Sequence, residues 1–224
     1  MKSLKAVIFD LDGTLVDTIP FHSQSFFELF SDLNHPVPMR RIRPLIRHPT
    51  EKIFEKLHAR KRLGMDIEKL LELRRKKYYE LIRGKKIVFS DAYPALLELH
   101  RYKKGIATNS SRQTLEASTN QRLLRFFKST ITFSDVLRAK PNPEMLNKIS
   151  RKLRVKPSEC AFIGDSVMDI RSAKNAGMTS IGLYRKTGAS TLADLQKEKP
   201  DYLIRKLTTL PKIFRELDHA NKRL

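Results

Sequence analysis

The chain's first strong pattern is the unbroken apolar run Ala6-Val7-Ile8-Phe9, which ends abruptly at Asp10. Apolar residues without alternation describe a strand covered on both faces, the situation of a parallel sheet and not of a half-solvated hairpin. Four later segments repeat the pattern: Gly105-Ile106-Ala107-Thr108, Thr130-Ile131-Thr132-Phe133, Ala161-Phe162-Ile163-Gly164 and Ser180-Ile181-Gly182-Leu183. Helical spacing lies between them. Asn142-Pro143 reads as an N-cap followed by a first-turn proline, with Met145, Ile149 and Leu153 on one apolar face. Strand alternating with helix from about residue 88 onward predicts an α/β fold with a doubly wound parallel sheet.

Residues 17–88 break that alternation. Apolar residues recur at 26, 27 and 30, at 53, 54 and 57, and at 67, 70, 71, 78 and 82, and no buried-strand run interrupts them. The expectation is a small all-helical cap domain over 17–88, inserted into an α/β core formed by 1–16 and 89–224. A helical insert placed directly after the first strand is expected to lie over the carboxyl ends of the core strands.

Composition narrows this picture in three places. No apolar run reaches membrane-spanning length, and the N-terminal run is too short for a signal-peptide core, so a cytoplasmic protein without a membrane partner is expected. Cys160 is the only cysteine, which excludes an intrachain disulfide, and its position at the head of Cys-Ala-Phe-Ile marks it as a small core residue. The formal net charge is +21. Residues 17–88 hold 17 Lys/Arg against 9 Asp/Glu, and the rest of the chain 28 against 15, so the excess is spread rather than gathered into one arm. Clusters such as Arg74-Arg75-Lys76-Lys77 alternate with acidic residues at helical spacing, as on a solvated face. Nucleic acid is thus a less favoured partner but stays open, and the field would draw in any small anionic substrate.

Candidate chemistry sits in four short segments. Phe9-Asp10-Leu11-Asp12-Gly13-Thr14 puts two carboxylates just past the first strand, at the ligand-binding edge of such a sheet. Hard oxygen donors of this kind suit a divalent cation. Thr108-Asn109-Ser110 offers a hydroxyl and backbone N–H groups after the second strand, Lys140-Pro141 a cation ahead of a helix, and Gly164-Asp165-Ser166-Val167-Met168-Asp169 a second acidic pair. Each alone has a plain structural meaning. Asp-x-Asp-Gly also marks turns, and Asp165 with Asp169 also reads as a helix N-cap and a first-turn acid. Their order at successive strand ends makes a shared site the better reading.

At these residues the chain resembles the haloacid-dehalogenase-like hydrolases, in the branch of phosphoglycolate phosphatases and β-phosphoglucomutases. The resemblance runs from about Lys5 to Tyr202 and is most specific at Phe9–Thr18 and Gly164–Met178. It implies a Rossmann-like core and an aspartyl-phosphate intermediate on Asp10. Asp12 would protonate the leaving oxygen and then activate water. Mg²⁺ would be held by the carboxylates of Asp10 and Asp165 and the Asp12 carbonyl, with Asp169 nearby, while Thr108, Asn109 and Lys140 would bind the phosphoryl oxygens. Family members that split carbon–halogen or carbon–phosphorus bonds lack the second aspartate, so Asp12 favours a phosphate ester.

The resemblance also implies a role for His22, at the entry to the cap, beside the acid/base residue. Arg47 and His48 stand where the family commonly has a glycine-containing specificity loop, and they would favour a substrate with a second anionic group. The expected activity is hydrolysis of a small phosphorylated metabolite by a monomer or homodimer. A phosphosugar mutase, which must shield its phospho-enzyme from water, is the runner-up. A basic nucleic-acid-binding or end-processing protein is the third reading.

Overall fold

A computed structural model describes residues 4–46, 50–58, 63–85 and 87–222, with side chains as far as residue 218. Its centre is a six-stranded sheet in the order β3-β2-β1-β4-β5-β6. The strands are β1 (Ala6–Phe9), β2 (Lys103–Ala107), β3 (Ser129–Ile131), β4 (Cys160–Gly164), β5 (Thr179–Leu183) and β6 (Tyr202–Ile204). Every pairing is parallel, and Phe9 lies level with Ile106 on one side and Ile163 on the other. The fold is the expected α/β parallel sheet.

Burial explains which strands could be read. β1 and β4 are buried at every position, because each has a strand on both flanks and protein on both faces. β6 closes one edge with three residues, of which Leu203 is exposed. It has neither length nor an apolar run, so the hydrophobic pattern does not announce it.

Helices connect the strands: α5 (Ala92–Glu98), α6 (Arg112–Ser118), α7 (Gln121–Leu124), α8 (Glu144–Leu153), α9 (Val167–Asn175), α10 (Leu192–Lys197) and α11 (Leu210–Lys222). Met145, Leu146, Ile149 and Leu153 of α8 join Ala6, Ile8, Ala107, Cys160 and Phe162 in one buried cluster. The helix starts one residue later than its sequence suggests. Pro143 occupies the N-cap, and the Asn142 side chain accepts from the Glu144 N–H at 3.0 Å. Proline has no N–H to be capped, so the Asn142 oxygen serves the next donor along.

The chain divides into two compact units, Met1–Asp17 with Ile87–Leu224, and Thr18–Lys86. Within the second unit the described elements are helical: α1 (Ile19–Asp32), α2 (Met39–Ile42), a 3-10 turn (Arg43–Leu45), α3 (Thr50–Lys56) and α4 (Ile67–Ile82). Phe26, Leu29, Phe30, Ile53, Phe54, Leu57 and Leu70 bury together, with the Phe26 and Phe54 rings edge to face at 5.1 Å. All but Leu29 are positions picked out by helical spacing, and Phe27, also picked out, packs against the cluster while only partly buried. Among the described residues no helix is long and apolar enough to cross a membrane.

Candidate active site

A parallel sheet gathers the carboxyl ends of its strands along one edge, and a crevice opens where the chain turns to opposite sides. Here that point is β1, between β2 and β4. Asp10 follows β1, Thr108 follows β2 and Asp165 follows β4 directly. After β1 the backbone folds tightly, the Leu11 carbonyl accepting from the N–H groups of Leu15 at 2.9 Å and Val16 at 3.1 Å. That turn carries Asp12.

Lys140 is the hub. Its ammonium donates to Asp10 Oδ1 at 2.7 Å, to Asp169 Oδ1 at 2.6 Å and to the Ala107 carbonyl at 3.3 Å. Its side chain is only 3% exposed. Asp169 is used at both oxygens. Oδ1 takes the lysine, while Oδ2 accepts from the Ser166 N–H at 3.0 Å and from the Ser166 hydroxyl, closing a capping box at the start of α9. Asp169 thus serves as the first-turn acid of the helix through one oxygen and pairs with Lys140 through the other. The N-cap itself is Ser166, not Asp165.

Asp165 is held differently. Its Oδ2 accepts from the Ala189 N–H at 2.6 Å. Gly13 (φ +73°) and Gly188 flank the same carboxylate: a Cβ would meet Asp165 Oδ2 at 2.2 Å from Gly13 and at 2.8 Å from Gly188. Only hydrogen fits at either position. One oxygen from each of Asp10, Asp165 and Asp169 can be chosen so that all three lie within 4.8 Å of one another.

Three buried carboxylates sharing one ammonium are short of positive charge. Burial, then the charge of Asp169, pushes the Asp165 carboxyl up to about 7. Burial and Asp169 likewise raise Asp10 well above the usual carboxylate range, although Lys140 pulls the other way. Burial disfavours the charge of Lys140, but Asp10 and Asp169 outweigh it and raise its pKa. An oxygen-only donor set with excess negative charge fits a hard divalent cation, which Asp10, Asp165 and Asp169 could hold.

The acid/base candidate Asp12 faces the second segment. Its Oδ2 accepts from the Ser110 hydroxyl at 2.6 Å and from Thr108 Oγ1 at a long 3.5 Å. Thr108 Oγ1 accepts in turn from the Ser110 N–H at 3.0 Å. The Asn109 side chain is spent on the Lys140 backbone, its Oδ1 accepting from Lys140 N–H at 3.0 Å and its Nδ2 donating to the Lys140 carbonyl at 3.4 Å. It fixes the segment that carries the lysine.

The core unit thus brings together Asp10, Asp12, Thr108, Asn109, Lys140, Asp165 and Asp169. His22 belongs to the helical unit, where its ring stacks on Tyr78 at 4.3 Å and Nδ1 meets the Arg74 guanidinium. Arg47 and His48 lie outside the described residues. Sequence reasoning passed over Ser110, quoted in the second segment but given no role, and Ala189, which acts through its backbone and left no side-chain signal.

The doubly wound core thus carries two acidic pairs, a hydroxyl loop and a buried lysine at its strand ends, as a hydrolase core would. The sequence profile of the haloacid dehalogenase-like hydrolases matches residues 7–183, and the chain belongs to that family. It is 30% identical over 222 residues to the protein named pyrophosphatase PpaX of Bacillus mycoides, covering 96% of this chain and 99% of that one. The namesake of Bacillus velezensis is 31% identical over 217 residues, covering 93% and 95%. Among solved structures, a predicted phosphoglycolate phosphatase from Haemophilus somnus superposes with a TM-score of 0.80 at 22% identity, covering 95% and 99%. A β-phosphoglucomutase from Clostridium difficile gives 0.75 at 19% identity, covering 97% and 98%. At such identities the two structures speak for the fold.

Proposed function

We propose that the protein is a Mg²⁺-dependent phosphatase that transfers the phosphoryl group of a small substrate to Asp10 and then to water. The observation that carries this reading is the cluster of Asp10, Asp165 and Asp169, the first and last of them paired with Lys140, with Asp12 on the adjoining turn. Lys140 fixes Oδ1 of Asp10, so the nucleophile is oriented before substrate arrives. A carboxylate oxygen of Asp10 forms a bond to phosphorus as the bond to the leaving oxygen breaks, and Asp12 delivers a proton to that oxygen. Asp12, now ionised, takes a proton from water as the water oxygen attacks phosphorus and releases Asp10. Ser110 holds the Asp12 carboxylate toward this position, and Thr108 and Lys140 supply donors to the phosphoryl oxygens. A Mg²⁺ ion bound by Asp10, Asp165, Asp169 and the Asp12 carbonyl would neutralise repulsion between the carboxylate and the anionic phosphate.

The substrate is a small phosphorylated anion, either a phosphomonoester or inorganic pyrophosphate. Pyrophosphate carries the second anionic group expected at this basic protein, and the relatives that match along nearly the whole chain bear the name pyrophosphatase. The test is release of inorganic phosphate from pyrophosphate and from a panel of phosphomonoesters, in Mg²⁺ and in chelator, with the Asp10→Asn variant alongside. Turnover is expected only with Mg²⁺ and only with Asp10, and trapping is expected to place the phosphoryl group on Asp10. Full activity of the Asp10→Asn variant would overturn the reading.

A further inference from the structure

We propose that Arg185 is a positioning residue for the cation site: it anchors a strap, residues 185–190, that presses Asp165 into place. The inference rests on the functional reading above, in that Asp165 is taken as a cation ligand.

The strap leaves the end of β5 and is tied down at successive points. At its start the Arg185 guanidinium grips Asp91 with both prongs, Nη1 to Oδ2 at 3.0 Å and Nη2 to Oδ1 at 2.7 Å. Nη2 also donates to the Thr14 carbonyl at 3.3 Å, and the guanidinium lies 4.0 Å from the centre of the Phe89 ring. This pair is largely buried, with side chains 12% and 13% exposed. Asp91 is itself fixed, because Oδ2 also accepts from the Leu207 N–H at 2.8 Å. Further along, Thr187 Oγ1 donates to Asp17 Oδ1 at 3.1 Å and Gly188 N–H to the Arg185 carbonyl at 3.0 Å. Ala189 N–H then reaches Asp165, and Ser190 Oγ accepts from the Val167 N–H at 3.1 Å.

The geometry makes Arg185 the common anchor of both walls around Asp165. One wall is Gly13, whose neighbour Thr14 is held by the guanidinium through its carbonyl. The other is Gly188, held through the Arg185 backbone. Both glycines come so near Asp165 Oδ2 that a single methyl would collide with it. A bidentate, ring-stacked guanidinium resists shear between two segments in a way that a lysine ammonium cannot. Loss of that tie lets the strap drift, the Ala189 hydrogen bond lengthen and the Asp165 carboxylate rotate away from Asp10 and Asp169. Residues that orient metal ligands in this manner typically set the affinity by a factor of about 10 to 100.

The test reads cation binding directly. Mn²⁺, used as the probe, is titrated into the purified full chain and bound ion is counted by electron paramagnetic resonance, without substrate. Arg185→Met is expected to raise the Mn²⁺ dissociation constant at least tenfold with the far-ultraviolet circular dichroism unchanged. Arg185→Lys keeps the charge but loses the fork, and is expected to weaken binding by a similar factor. If Arg185→Met fails to fold, Arg185→Lys and Asp91→Asn, which breaks the same grip with almost no change of shape, carry the test. Wild-type Mn²⁺ affinity in a folded Arg185 variant overturns the proposal. Asp165→Asn is the control for the underlying reading. If it binds Mn²⁺ like wild type, Asp165 is no ligand and the functional reading fails; if it loses binding while the Arg185 variants keep it, only the strap fails.

Discussion

Replacing Lys140 by Met tests the electrostatics of the site most severely. The substitution keeps an unbranched side chain, one atom shorter, and removes the charge that Asp10 and Asp169 share at 2.7 and 2.6 Å. Removing one partner from a buried ion pair costs about 3–5 kcal/mol, because the carboxylate left behind is neither solvated nor paired. For a chain of this size each kcal/mol moves the melting temperature by roughly 2–4 °C, so a drop of about 10 °C is expected in chelator. The loss has a pH signature. Asp10 already has a raised folded-state pKa, and without Lys140 it rises further above the unfolded value. A raised acid binds more protons in the folded state, so its stabilising contribution is complete below the unfolded pKa and disappears as pH climbs through the folded one. The deficit relative to wild type should therefore be larger at pH 8 than at pH 5. Mg²⁺ should stabilise the variant over its own chelator value at pH 8, by about 2.7 kcal/mol at a hundredfold excess over its dissociation constant. Differential scanning fluorimetry at both pH values, with chelator and with Mg²⁺, reads all of this. A variant that melts within about 2 °C of wild type at pH 8 in chelator would show that the carboxylates do not depend on Lys140.

Other outcomes are as definite. Gly13→Ala, with its methyl 2.2 Å from Asp165 Oδ2 at a φ of +73°, should fold but lose cation affinity by at least about tenfold, seen by Mn²⁺ titration; unchanged binding would mean Asp165 is freer than its contacts suggest. Ser110→Ala should lower kcat by about tenfold with little change in KM, since it loosens Asp12 without touching Asp10, whereas Asp12→Ala should cost about 10²–10⁴-fold. Cation uptake should release protons near neutral pH, because Asp165 titrates at about 7 and Asp10 is raised. Apparent affinity should then rise between about pH 6 and 8, and calorimetric enthalpies should depend on the buffer's own ionisation enthalpy. Identical enthalpies in phosphate-free buffers of different ionisation enthalpy would rule proton release out.

The strands that build the site were legible because double-sided burial forbids polar residues, and Ala6–Phe9 and Ala161–Gly164 obey that rule strictly. β6 obeys no such rule at its exposed edge, and β2 begins two residues earlier than its apolar run, at the half-buried Lys103 and the buried Lys104, whose charges hide the strand's start. The acidic pairs and Lys140 were visible because charge at the end of a buried strand conflicts with burial unless it has a partner. Their division of labour was not visible. Nothing in the letters distinguishes Asp169, which serves lysine and helix cap at once, from Asp165, which is clasped by the Ala189 N–H. Backbone donors carry no residue identity, so half of what orients Asp165 leaves no trace in the sequence. The Asn109 side chain binds the Lys140 backbone, a long-range pairing that local pattern cannot foresee.

The segments that leave and re-enter the core around the helical unit run side by side. Asp17 N–H donates to the Ile87 carbonyl at 2.7 Å, Phe89 N–H to the Leu15 carbonyl at 3.0 Å, and Val16 and Val88 form an antiparallel bridge. Departure and return are thus a few ångströms apart and already zipped, independently of what lies between them. A tight turn could join Val16 to Val88 without stretching the chain, and an unrelated helical module could be spliced across the same rung while Asp10, Asp12 and their strand keep their register. The neck makes the insert interchangeable at a boundary the backbone itself marks, since the rung that closes it belongs to the sheet unit alone.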